Sequence, residues 1–435
     1  MQNIRPFQIA LLGIFALMAV VSLALIAGFE GFVATEEKVY GDSVVIWGPF
    51  DFQTVDQIFN EIARTDKQFN VVTYEQKDLS TFETELVDAI AEGRGPDVVM
   101  ISHDLLVSLR AKLLPIPYDT YPERTFKDRF VDGAEIFARI DGVYAIPFAV
   151  DPLVMYWNRD LFSAAGFAQP PATWDVLVSQ IVPALTRRDS SRAIMQSALA
   201  FGEYANVTKA KEVLLTLAMQ SGSTLILEDD RGYTVALDTP LVSGNRPPLN
   251  AAVQFFTDFS NANSQLYSWN RAMQNDRTAF LAGDLALYFG YGSEGVRIEA
   301  SNPNLNFDAA LVPQGAGATV KRVYGDFYGL AIVRTSDNIS GSYAAIQTFS
   351  QDAFVGPFVS SLALAPASRT LLAAGNSDAI QQVVFASALI ARAWLDPSPV
   401  SSDNIFAQMI DDIVSSRQKV ANAVSDAVRR LELAF

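Results

Sequence analysis

The chain has 435 residues, with 32 basic and 48 acidic side chains, a net charge of −16 and half of its residues hydrophobic. That composition supports a large core in two or three domains, excludes a mostly disordered chain and disfavours nucleic acid as a partner, because phosphates repel so acidic a protein. Cysteine is absent and His103 is the single histidine, so disulfides, thiolate or histidine-rich metal sites and a lipid-modified N-terminal cysteine are excluded, and no cofactor or metal is expected.

Phe7 to Phe29 is a run of 23 residues without a charge. As a helix it would span roughly 35 Å, against about 30 Å for a bilayer core. Arg5 precedes it and Glu30, Glu36 and Glu37 follow, which puts the N-terminus in the cytoplasm. A cleaved signal peptide is the alternative. It calls for a shorter apolar run and a small-x-small site, and the candidate sites after Ala27 and Ala34 carry Leu25 and Phe32 at the wrong place. The expectation is a cytoplasmic N-terminus (1–6), a single-pass anchor in the cell membrane (7–29), a tether (30–42) and a soluble domain on the extracytoplasmic side.

After the tether the pattern alternates. Val44–Trp47 is a short apolar run that predicts a strand. Val55, Ile58, Phe59, Ile62 and Ala63 share one helical face. Val71–Tyr74 predicts a second strand. Ser80 and Glu83 form a capping box before a helix that Gly93, Gly95 and Pro96 stop. Val98–Ile101 predicts a third strand. This strand–helix alternation argues for a parallel sheet, whose ligands sit beyond the carboxyl ends of the strands, here Trp47–Phe52 and Ser102–Asp104. Helical patterns follow over Val207–Gln220, Leu249–Asn261, Ala379–Trp394 and Ile405–Leu433. Between them lie strands at Leu285–Phe289, Ala309–Val312 and Tyr328–Val333, and residues 223–248 read as a surface hairpin.

Catalytic motifs are missing: there is no phosphate-binding loop of the GxxxxGK type, no GxSxG and no calcium loop. Asn206-Val-Thr208 and Asn338-Ile-Ser340 fit the N-glycosylation pattern. An acid pair such as Asp151 and Asp326 would make a glycosidase dyad only if the fold held the two at the right separation.

Asp141–Leu177 reads DGVYAIPFAVDPLVMYWNRDLFSAAGFAQPPATWDVL. Its glycine turn, strand, Trp-Asn-Arg-Asp-Leu-Phe helix start, glycine stop and Pro-Pro-Ala-Thr-Trp-Asp resemble the extracellular solute-binding proteins of ABC importers, the family that includes the maltose-binding protein. Phe280–Gly292, Tyr324-Gly325-Asp326, Ser342–Ser350 and Leu364–Arg369 are similar to later parts of that family. The resemblance implies an α/β, two-lobe periplasmic-binding-protein-like fold of type II with a central cleft and a hinge. Lobe 1 is expected over 43–149 plus 311–355 and lobe 2 over 150–310 plus 356–435, with crossings at Val150-Asp151 and Ala310-Leu311. It implies a binding protein, not an enzyme, whose partners are a small solute, carbohydrate first, and an ABC transporter permease. A polyamine-like or other non-sugar solute, a sensor role and an acidic surface glycosidase stay open as alternatives. The residues expected at the ligand are Trp47, Phe50, Trp174, Trp269, Tyr291 and Tyr328 for stacking, Asp51, Asp104, Asp151, Asn270 and Asp326 as hydroxyl acceptors, and His103 and Arg369 beside them.

Overall fold

The computed structural model describes residues 6–26, 38–191, 193–229, 232–239 and 246–435. The chain divides into two compact units, Met1–Val39 and Tyr40–Phe435. In the first, Pro6–Ile26 is helical, with side chains described at Phe7, Leu11–Val20 and Ser22. Among the described residues no helix is long and apolar enough to cross a membrane, so the expected crossing over 7–29 finds no support there. Residues 1–5 and 27–37, including most of the expected tether, lie outside the described residues.

The second unit is built on one large twisted sheet. Its principal strands are β1 (Val44–Gly48), β2 (Val72–Gln76), β3 (Val98–Ser102), β4 (Ile146–Asn158), β5 (Ile194–Leu199), β6 (Leu285–Tyr291), β7 (Phe307–Ala310) and β8 (Val323–Val333). Their order is β2-β1-β3-β8-β4-β6-β5, with β7 also on β4. β1 pairs in parallel with β2 and β3, as the strand–helix alternation predicts. Helix Phe52–Thr65 buries Val55, Ile58, Phe59 and Ile62 on the face foreseen. The next helix starts one residue later than the capping box implies. Ser80 Oγ donates to Asp78 Oδ1 at 2.6 Å, so Thr81 becomes the cap and the helix runs Phe82–Ala91.

Most consequential is β4. All 13 of its residues are buried, and it joins the two halves of the sheet. Ile146–Pro152 pairs with Leu330–Gly325 of β8; beyond it, Leu153–Trp157 pairs with β6 and Met155–Asn158 with β7. β8 crosses in the same place, since Val323 and Tyr324 pair with Ala391 and Arg392 at its other edge. β4 changes partners from β8 to β6 just past Val150-Asp151. After Ala310-Leu311 the chain stays beside the β6 half, where Gln314 N donates to Ala172 O at 3.1 Å, and returns through β8. Tyr324-Gly325-Asp326 lies within β8. Helix Asp352–Ser361 packs toward the first half, with Phe358 centred 5.5 Å from Phe50. The hairpin forms from Ile226–Asp229 and Gly232–Val235; its residues 230–231 and the loop 240–245 lie outside the described residues. The long C-terminal helical pattern resolves into two helices, Pro399–Val414 and Val420–Glu432.

Candidate functional site

The pairing of the two crossing strands builds the site. Asp151 stands directly opposite Asp326 in the antiparallel register, so both side chains leave the same face. Tyr324 and Tyr328 follow on that face at period two. Asp151 is 4% exposed. It accepts from Ser293 N at 3.0 Å and from Ser293 Oγ at 2.5 Å, which ties β4 to the turn that opens helix Glu294–Ser301. Burial pushes its carboxyl up to about 6, against the pull of the two Ser293 hydrogen bonds. Asp326 is held well above the usual carboxylate range, by burial first and then by Asp104, while Lys209 pulls the other way.

Beside Asp151 lies a cavity of about 340 Å³ lined by Phe50, Ser293, Val296, Arg297, Tyr328 and Ser361–Leu364. Phe50 and Tyr328 meet edge to face at 5.5 Å and come from the β1–β3 half. Ser293 and Arg297 come from the β6 half. Tyr291 ends β6 on the Asp326 side. Its hydroxyl donates to Glu212 Oε1 at 3.3 Å, and Lys209 Nζ sits 3.9 Å over its ring. Tyr291 is pushed well above the usual phenol range by burial, then by Asp326 and Glu212. Tyr156 fixes this turn by donating to Tyr291 O at 2.8 Å, and Glu294 Oε1 accepts from Tyr291 N at 2.9 Å. Of the expected ligand residues, Phe50, Asp151 and Tyr328 line this one cavity, Asp326 stands opposite Asp151, and Asp104 and Tyr291 act on Asp326.

Other expected ligand residues have structural roles. Trp269 is 0% exposed, and its indole N–H is spent on Asn206 Oδ1 at 3.1 Å. Asn270 holds its own loop, donating to Tyr267 Oη at 2.9 Å and accepting from Ala272 N at 2.9 Å. Trp174 stacks on Phe289 and donates to Gln220 Oε1 at 2.6 Å inside the β6 half. Trp47 is buried at the end of β1 under Lys77 Nζ, 3.8 Å from its ring centroid. Asp51 caps helix Phe52–Thr65 by accepting from Thr54 N at 3.0 Å. Arg369 is spent on Asp132 and Lys127 O.

His103 is wholly buried. Its Nδ1 accepts from Phe327 N at 3.2 Å, so the proton resides on Nε2, which faces Tyr324 Oη at 3.1 Å. Burial lowers its pKa to about 4, so it is neutral and pins β3 to β8 rather than facing a ligand. Both glycosylation patterns are also consumed internally. Asn206 Nδ2 donates to Asn270 O and Met273 O, and Asn338 Nδ2 to Tyr40 O and Ser43 O. Among the described residues no group of acids and histidine could hold a metal ion.

Sequence reasoning missed Lys209, Glu212, Ser293, Arg297 and Tyr324. One signal was available. Val213–Met219 of helix Ala210–Gln220 is buried throughout, so charges placed at its head face a cleft rather than open solvent.

Residues 51–350 match the family described as bacterial extracellular solute-binding protein. A Brucella abortus protein named as a candidate binding protein is 27% identical over 236 residues, 53% of this chain and 53% of that protein. A maltotriose-binding protein of Pyrococcus abyssi is 29% identical over 148 residues, 33% of this chain and 31% of its own. The chain spans about half the length, or less, of these curated relatives. Among solved structures, a cyclo/maltodextrin-binding protein complexed with maltotetraose superposes with a TM-score of 0.72 at 16% identity, covering 90% of this chain and 96% of that one. A Thermus thermophilus maltotriose-binding protein bound with maltotriose gives 0.62 at 15% identity, covering 90% of this chain and 100% of its own. At such identities the likeness speaks for the fold alone, an α/β two-lobe architecture of the periplasmic-binding-protein kind.

Proposed function

This chain belongs to the bacterial extracellular solute-binding protein family, and from that premise we propose that it captures a small neutral solute, a sugar or oligosaccharide, between two closing lobes and delivers it to the permease of an ABC importer. As a member of a binding family with this fold, it is not an enzyme. The observation that carries the ligand class is the register of Asp151 against Asp326, with Phe50 and Tyr328 on one side and Tyr291 and Ser293 on the other. Buried carboxylates have acceptor capacity left beyond the Ser293 bonds to Asp151, and sugar hydroxyls supply donors to it. The aromatic rings offer faces for the apolar side of a sugar. The saccharides in the names of the relatives point the same way.

A cationic amine would use the same acids and rings. It would enter against Lys209, already over the Tyr291 ring, and against Arg297 in the adjoining cavity, so the neutral solute is the better fit. Closure follows from the two-sided lining: a ligand that touches both halves favours the closed state by its differential affinity. In this reading the lobes exchange at Val150–Pro152, at Val323–Phe327 and near Ala363–Ser368. We propose further, from the uncharged sequence run 7–29, that the chain is anchored in the membrane with its bulk outside the cell.

Mass spectrometry of small molecules released on denaturing purified residues 40–435 tests the ligand class. A saccharide in near-stoichiometric amount is expected, and a polyamine in its place would overturn the reading.

A further inference from the structure

A second cavity, about 580 Å³, lies away from the cleft, between residues 219–225, the loop 318–322 and Arg392-Ala393. In a chain carrying a net charge of −16, the charged side chains lining this cavity are Arg322 and Arg392, and among the described residues no Asp or Glu lines it. The two arginines act on each other: Arg392 is lowered from its ordinary value by burial first and then by the charge of Arg322. Arg392 is partly neutralised from outside the cavity, donating to Asp132 Oδ2 at 2.6 Å. Arg322 has no ion-pair partner among the described residues. Its backbone is held, since Arg322 N donates to Gln314 Oε1 at 3.0 Å and Arg322 O accepts from Gln220 Nε2 at 2.9 Å, so the residue is fixed at the cavity wall. Thr224 and Thr319 add hydroxyls to the same wall.

An adjoining space of about 180 Å³ shares Thr224, Leu225, Arg392 and Ala393 but is lined also by Asp132 and Glu135, so among the described residues the larger cavity is the one free of acids. The Arg322 and Arg392 guanidinium groups and the Thr224 and Thr319 hydroxyls around the larger volume make a recognition set for oxyanions, whose planar or tetrahedral oxygens match the guanidinium fork.

We propose that this cavity is a second ligand site, distinct from the solute cleft, that takes a small organic anion bearing a carboxylate or phosphate group. Both ligand chemistries offer the same anionic oxygens, and the cavity is larger than a bare inorganic ion requires.

Titration calorimetry of the full-length chain at low ionic strength tests it with citrate, phosphoserine and inorganic phosphate as probes. One saturable site for citrate or phosphoserine is expected, weakened at least tenfold in Arg322→Gln, which is about 1.4 kcal/mol. Citrate in preference to phosphoserine identifies the carboxylate class and the reverse the phosphate class. Arg159→Gln, at the start of another helix, controls for net charge and should bind as the native chain does. Absence of saturable binding to all three probes, equal binding by R322Q, or an equal loss in R159Q would each overturn the proposal. Binding of inorganic phosphate alone would also overturn it, as the mark of an adventitious ion only.

Discussion

Asp151 sets the pH response of the crossing strands, and Asp151→Asn isolates it. In the folded chain the carboxyl holds its proton up to about pH 6, against an ordinary value of 3.8. The folded state therefore binds more protons than the unfolded state between those values, and stability falls as pH rises through that window. The gap is worth about 3 kcal/mol at 1.36 kcal/mol per pH unit, fully retained below the lower value and lost above the upper. Asparagine keeps an acceptor for Ser293 N and carries no charge to desolvate, so the variant should fold and lack this dependence. Urea denaturation of residues 40–435, followed by tryptophan fluorescence at pH 4, 5, 6 and 7.5, measures the difference between the two proteins. Asp276 is raised to about 6 as well, but it is present in both and cancels. The native chain should lose about 2.4 kcal/mol relative to D151N between pH 4 and 7.5, because part of the full difference is already lost at pH 4. A difference that stays flat within about 0.5 kcal/mol would show that burial does not govern this carboxyl.

Three further outcomes follow from the same geometry. Asp151→Ala should cost about 1–3 kcal/mol at pH 4, where the carboxyl keeps its proton, because Ser293 loses its acceptors, and an unchanged urea midpoint there would mean that this tie is slack. Gly133→Ala should destabilise by about 1–3 kcal/mol, since an added Cβ would lie 2.3 Å from Phe327 Cζ and 2.4 Å from Ala391 O, beside the β8 crossing; thermal melting checks it. The full chain should remain with membranes after a carbonate wash while residues 40–435 do not, and a mature N-terminus beyond residue 28 would contradict the anchor.

The short strands were legible because each is an apolar run bounded by turn formers; β1, β2 and β3 fall within a residue or two of their expected places. β4 was not. Its run contains Pro147, Asp151 and Pro152, which read locally as the end of a strand and an exit from it. Pairing with β8 on one stretch and with β6 and β7 on the next is a property of the whole sheet, invisible to a local pattern. The same holds for Gly325-Asp326, which pairs with Pro152 and Asp151. Side-chain type also hides depth. Trp269 and Tyr291 both suit a sugar face by chemistry, yet Asn206 satisfies Trp269 inside the core while Tyr291 ends its strand at the cleft. His103 shows the limit most clearly, because a single histidine past a strand end invites a ligand reading that its two engaged nitrogens refuse.

Closure has its own readout in small-angle scattering: the radius of gyration of residues 40–435 should shrink on saturation with the solute identified by mass spectrometry, and no change at saturation would count against two closing lobes.

The capture of a neutral sugar between Asp151, Asp326 and Tyr291 is tested most directly by calorimetric titration of residues 40–435 with a panel of neutral mono- to tetrasaccharides, alongside Tyr291→Ala and Asp326→Asn. At least one saccharide should bind at about micromolar strength, near −8 kcal/mol, and each variant should weaken it roughly tenfold or more. Silence across the panel with tight binding of a diamine, or native affinity in both variants, would contradict it.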